Sequence, residues 1–111
     1  MLFTLNAVAG QGAEFRVPRP ASFVVVAAQD ASVVWVRFEG DADKPVSVPV
    51  ATPDLGAGKV TPGWVRVTPE QPYAYGRQES ELARERQVRR IVFWGEVSGY
   101  LSGMTINDAG A

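Results

Sequence analysis

The sequence predicts an all-β chain: an antiparallel β-sandwich or small barrel, jelly-roll-like, of about seven or eight short strands with at most one short helix near 79–87. Three observations predict it. Apolar residues recur with the strand period of two, or run apolar on both faces, over short stretches. Glycine and proline, 11 and 8 of the 111 residues, punctuate these stretches. Helical signals are few: Glu85 and Arg89 are four apart and Ser80 stands as a cap for a short helix over 79–87, but the apolar stripe is weak.

Each element follows from its residues. Leu2 to Val8 is a first strand, and Gly10-Gln11-Gly12 is a turn. Glu14-Phe15-Arg16-Val17 is a short strand that Pro18-Arg19-Pro20 is expected to stop, since proline donates nothing to a ladder. Ser22 to Ala28 is apolar on both faces, as in a strand covered on both sides, or by the core on one and a partner on the other. The short polar connection Gln29 to Ser32 predicts that this strand pairs as an antiparallel hairpin with the next, Ser32 to Phe38. There Val34, Val36 and Phe38 share one face and Val33, Trp35 and Arg37 the other.

Gly40 to Lys44 is a turn. Pro45 to Val50 alternates with valines inward, and Pro45 and Pro49 mark it as an edge strand. Thr52 to Lys59 is loop, Trp64 to Thr68 a strand, and Val88 to Trp94 a strong strand after the charge-dense segment 77–90. Short strands follow near Tyr100-Leu101 and Met104 to Ile106, and 107–111 is expected to be a flexible tail. The length fits a single domain, 1–111.

Composition bounds the chemistry. There is no cysteine and no histidine, which removes disulfides, thiolate metal sites, the usual general base and every Ser–His or Cys–His nucleophile. Eleven basic side chains against twelve acidic ones leave no cationic excess for nucleic acid. No basic, long-apolar leader opens the chain, and the longest apolar run, Phe23 to Ala28, is too short to span a membrane. A soluble, non-membrane product is expected.

Candidate sites meet plainer readings. Glu39, Asp41 and Asp43 alternate as calcium ligands do, but lack the full loop spacing; an acidic hairpin turn accounts for them. Gly10-Gln11-Gly12 and Leu55 to Lys59 lack a phosphate-loop motif. No carboxylate pair is singled out, so no catalytic, metal-binding or cofactor-binding residue is assigned and the chain is read as a non-enzyme. In 77–90 five arginines are interleaved with three glutamates. With Tyr73, Tyr75 and Trp94 stacking bases, the segment would suit a single nucleic-acid strand, yet its glutamates repel phosphate and favour a self-neutralising face.

The Trp/Arg pattern carries the binding expectation. Trp35 and Arg37 share a strand face, as do Trp64 and Arg66; Arg90 and Trp94 join them if their strand lies in the same sheet. An unpaired guanidinium is costly to bury, so this face is not inner core, and Trp with Arg is a composition enriched in interfaces. These six residues are the candidate interface. Three readings stay open: a protein interface, a glycan platform using Trp35, Trp64, Trp94 and the tyrosines 73, 75 and 100, and an outer sheet surface satisfied by its own Arg–Trp stacking.

A short β chain without cysteine or histidine, punctuated in this way and closing on Val97-Ser98-Gly99-Tyr100-Leu101-Ser102-Gly103, resembles the small accessory virion proteins of tailed phages. These are capsid decoration proteins, fibre or spike bases and tail-associated β-sandwich modules. The resemblance is one of style across most of the chain and carries over no functional residue. It implies a homo-oligomer, a trimer favoured, docked on a larger virion protein, and hence a place in the virion or the cytoplasm. The expected function is therefore a structural assembly module. A carbohydrate-binding module and a single-strand nucleic-acid binder stand as the alternatives.

Overall fold

A computed structural model describes residues 1–40, 64–76 and 88–106. Within them lie eight strands: β1 (Leu2–Ala7), β2 (Gly12–Ala21), β3 (Phe23–Gln29), β4 (Val33–Glu39), β5 (Val65–Val67), β6 (Tyr73–Gly76), β7 (Val88–Val97) and β8 (Gly99–Ile106). They form two four-stranded antiparallel sheets, one in the order β1-β8-β3-β6 and the other β2-β7-β4-β5, packed as a β-sandwich. The pairs β1·β8, β2·β7, β3·β6 and β4·β5 are those of one long antiparallel ribbon folded at its middle. Winding that ribbon brings β3 against β8 and β4 against β7. This is the jelly-roll arrangement that the alternation pattern predicts. The expected helix near 79–87, the edge strand at 45–50 and the tail at 107–111 lie outside the described residues. Among the described residues no helix is long and apolar enough to cross a membrane.

The core lies between the sheets. Phe3 and Ala7 of β1, Val24, Val26 and Ala28 of β3 and Leu101 of β8 meet Val17, Val34, Val36, Val67, Ile91 and Phe93 of the other sheet, all buried. Phe3 stacks on Phe15 across the gap with ring centres 5.1 Å apart, and Phe38 stacks on Tyr73 at 5.8 Å. Gly103 makes the first stack fit: a Cβ there would lie 2.2 Å from the Phe3 ring.

Three expectations are corrected. First, β3 and β4 do not pair. The turn between them is hairpin-like, with Asp30 and Ala31 at φ of 53° and 63° and the Ser32 N–H donating to the Gln29 carbonyl at 3.0 Å. The strands nevertheless enter different sheets, because each finds two other partners and the valine faces Val24/Val26 and Val34/Val36 then oppose one another across the core. Buried Ser32 ties the corner down: its hydroxyl accepts from the Gln29 N–H and donates to the Tyr100 carbonyl, each at 3.0 Å. Second, Pro18 and Pro20 do not stop β2. It is an edge strand whose register on β7 breaks between Arg16 and Ala21, where the missing donors do no harm. Third, the residues near Tyr100 and Met104 belong to one continuous strand, β8, rather than two.

Candidate functional site

The two outer faces of the sandwich are the places where side chains meet solvent or a partner. Strand alternation dictates both.

On the β2-β7-β4-β5 sheet, register sets Arg66, Trp35 and Trp94 side by side across β5, β4 and β7. One row further, Arg37 of β4 and Glu14 of β2 flank Val92; beyond that, Glu39 and Arg16 flank Arg90. The six residues expected to form an interface, Trp35, Arg37, Trp64, Arg66, Arg90 and Trp94, thus share this one face. β7 does lie in the same sheet as β4, so Arg90 and Trp94 meet the condition on which they were included.

The chemistry of the face is closed within the chain. Trp35, Trp64, Trp94 and Val92 form a second apolar cluster, separate from the inter-sheet core, with the three indoles only 5–8% exposed. Glu96 organises its edge. Its Oε1 accepts from the Trp35 indole Nε1 at 3.0 Å and from the Arg66 Nε at 3.1 Å, and its Oε2 accepts from the Arg66 Nη2 at 3.0 Å. This fork-to-fork pair is a strong, oriented form of ion pair. Hydrogen bonding from Arg66 is the main force holding the Glu96 carboxyl below its ordinary pKa, with a smaller share from the Trp35 indole, against an opposing effect of burial. Arg66 is correspondingly raised by the same bond.

At the other end, Arg90 is 1% exposed. Its Nε donates to Glu39 Oε1 at 2.7 Å and its Nη1 to Glu14 Oε2 at 3.3 Å. Arg37 lies 3.7 Å from Glu39 and Arg16 lies 3.6 Å from Glu14. A buried guanidinium is tolerable only with such partners. Glu39, read from the sequence as part of an acidic turn, is thus an ion-pair partner of Arg90 within β4. Asp41 and Asp43 lie outside the described residues, as do the arginines 77, 84 and 86.

Glu14, Glu39 and Glu96 are the members of this face that the sequence pattern did not assign to it. The signal was present for two of them: Glu39 follows Arg37 and Glu96 follows Trp94 by two residues, the spacing that identified the Trp/Arg face itself. Glu14 was reachable only through the β2–β7 pairing, which joins residues far apart in the chain.

The outer face of the β1-β8-β3-β6 sheet is built differently. Its rows run Leu2–Met104–Val25–Ala74 across all four strands, then Thr4–Ser102–Ala27 and Asn6–Tyr100–Gln29, with Phe23 and Ile106 beyond Met104. None of these side chains is charged. Leu2 is 80% exposed, Met104, Ile106 and Tyr100 are exposed, and Phe23, Val25 and Ala27 are half-buried. Of the two coverings expected for the doubly apolar strand 22–28, the described residues supply the core side. Tyr73 and Tyr75 turn inward to pack on Phe38.

A shallow groove of about 460 Å³ lies at the sandwich edge between Ala31, Val33, Arg66 and the β5–β6 turn Thr68–Gln71. It brings one arginine and one glutamate, Glu70, together without a catalytic pairing.

No protein-family model, curated protein or solved structure matches the chain.

Proposed function

We propose that the protein is a non-enzymatic assembly module, which associates with further copies of itself and so takes its place in a larger protein array. The setting that suits this reading is that of a virion accessory protein of the tailed-phage kind. One observation carries it. Among the described residues the outer face of the β1-β8-β3-β6 sheet is apolar or neutral on all four strands, with Leu2, Met104 and Ile106 exposed. Contiguous apolar surface of this kind is unusual on a protein that acts alone and marks association sites. The Trp/Arg face supports the same reading in a different capacity: its tryptophans are enclosed, so it is a rigid backing whose solvent-facing groups are Arg37 and Arg66. Enclosed indoles offer no open ring face to a sugar, which is why assembly is preferred to glycan binding.

Multi-angle light scattering across a concentration series tests the proposal. The wild-type mass should rise above that of one chain at micromolar or higher concentration. Leu2→Lys should restore the single-chain mass, and Arg66→Ala should leave the rise intact. A single-chain mass for the wild type at every concentration would overturn the reading.

A further inference from the structure

Among the described residues the sandwich has four edge strands, β1 and β6 of one sheet and β2 and β5 of the other. Each presents unpaired main-chain groups that can take up another strand, and natural proteins guard such edges with prolines, charges, register breaks or brevity. Three of the four are guarded. β2 has Pro18, Pro20, Glu14 and Arg16 and breaks register after Arg16. β5 is three residues long and holds Arg66 at its centre. β6 is four residues long. β1 has none of these devices: Leu2-Phe3-Thr4-Leu5-Asn6-Ala7 contains no proline and no charge, and its register on β8 runs unbroken from Leu2 to Ala7.

The main-chain groups on that edge can be assigned. The Met1 nitrogen donates to the Thr105 carbonyl at 2.7 Å, and the Thr105 N–H donates back to the Met1 carbonyl at 2.8 Å, so these two are a bonded pair. Bonded and non-bonded pairs alternate along an antiparallel ladder. Phe3, Leu5 and Ala7 therefore bond to β8, while the N–H and C=O of Leu2, Thr4 and Asn6 point away from it, toward the open edge. The side chains of those same three residues lie on the charge-free outer face and are exposed.

We propose that β1 pairs with β1 of a second copy, antiparallel about a twofold axis at Thr4, joining two four-stranded sheets into one of eight strands. This rests on the assembly reading above and names its geometry. In this register Thr4 faces Thr4 of the other copy and each Leu2 faces an Asn6; these three pairs are the bonded ones, giving about six main-chain hydrogen bonds, and the Phe3–Leu5 pairs between them are non-bonded. Threonine opposite threonine is a favourable cross-strand pair, and no charge opposes a like charge. Face-to-face stacking is the weaker geometry. Four strands about 4.8 Å apart and about seven residues long span roughly 440 Å² per copy, so stacking buries about 900 Å², under the usual range for stable interfaces. Pairing one edge with itself closes at two copies, not the three that the virion resemblance implies. It also doubles the uncharged face available to a larger array.

Disulfide capture tests the geometry, because the chain has no cysteine of its own. Bonded pairs place Cα atoms about 5.5 Å apart, within disulfide range. Thr4→Cys should give a covalent dimer under mild oxidation, at least tenfold more than Val97→Cys, an exposed control on another strand. Met104→Lys, one strand in from the edge, should keep the wild-type mass in light scattering. If Thr4→Cys links no better than the control while the wild-type mass still rises with concentration, edge pairing is wrong and the assembly reading stands. Absence of both the link and the rise overturns both.

Discussion

The two outer faces of this sandwich are made from strands of similar length, yet one is closed and the other open. The Trp/Arg face holds its three indoles, two ion-pair groups and a buried arginine in mutual contact, so its apolar area is already removed from water and its charges already paired. Among the described residues the opposite face has no charges to pair, and its rings, Phe23 and Tyr100, are not enclosed; its leucine, methionine and isoleucine remain in solvent. The difference teaches that residue types alone do not identify an interface. Tryptophan and arginine are enriched where proteins meet, but the same pair also builds a self-satisfied surface when a carboxylate such as Glu96 stands within reach. On the assembly reading proposed above, uncovered apolar area and unpaired main-chain groups are the better markers.

The largest expected effect tests whether the Trp cluster is structural. Trp94→Ala removes a side chain enclosed by Trp35, Trp64 and Val92, and should cost about 3–5 kcal/mol in urea denaturation. Leu2→Ala on the other face should stay within about 0.5 kcal/mol. Equal, small effects would erase the distinction between the faces.

The next concerns the buried cation. Arg90→Met leaves Glu39 and Glu14 without their shared guanidinium. Because both carboxylates retain some contact with water, the loss should be about 2–3 kcal/mol by the same method. Adding Glu39→Gln to Arg90→Met should recover part of it, since the uncompensated charge is then gone.

The smallest effect is a pH dependence. The folded-state pKa of Glu96 is depressed, so its contribution to stability is complete above its ordinary value of about 4.5 and is lost as pH falls through the folded value. Arg66 is half-exposed, so the contribution should be no more than about 1 kcal/mol. Glu96→Gln should therefore be less stable than wild type at neutral pH, with the gap narrowing below pH 4.5. Tryptophan fluorescence during denaturation reads this directly, and a gap that widens toward acid would refute the role given to Glu96.

How much of this was legible follows from the range of each interaction. Alternation is local, so the strands, the inward set Val34, Val36 and Phe38, and the common face of Trp35 with Arg37 could be read from neighbouring residues. Pairing is not local. β1 joins β8 across most of the chain, and nothing near Gln29 to Ser32 reveals that a hairpin-type turn leads into a different sheet. The continuation of β2 through Pro18 and Pro20 depends on its being an edge strand, which only the topology decides. β6 was missed because Tyr73-Ala74-Tyr75-Gly76 is short and lies between Pro72 and a charge-dense segment. The open face was partly visible in the doubly apolar run Phe23 to Ala28, but its extension through Leu2 and Met104 required the register.

Amide hydrogen exchange, measured residue by residue at low and high protein concentration, tests the central claim most directly. The account predicts that the Leu2, Thr4 and Asn6 amides exchange freely when dilute and slow as concentration rises, while the Trp35 indole N–H, held by Glu96, stays protected throughout. Edge amides indifferent to concentration, with the Trp35 indole slowing instead, would contradict it and move the association surface to the Trp/Arg face.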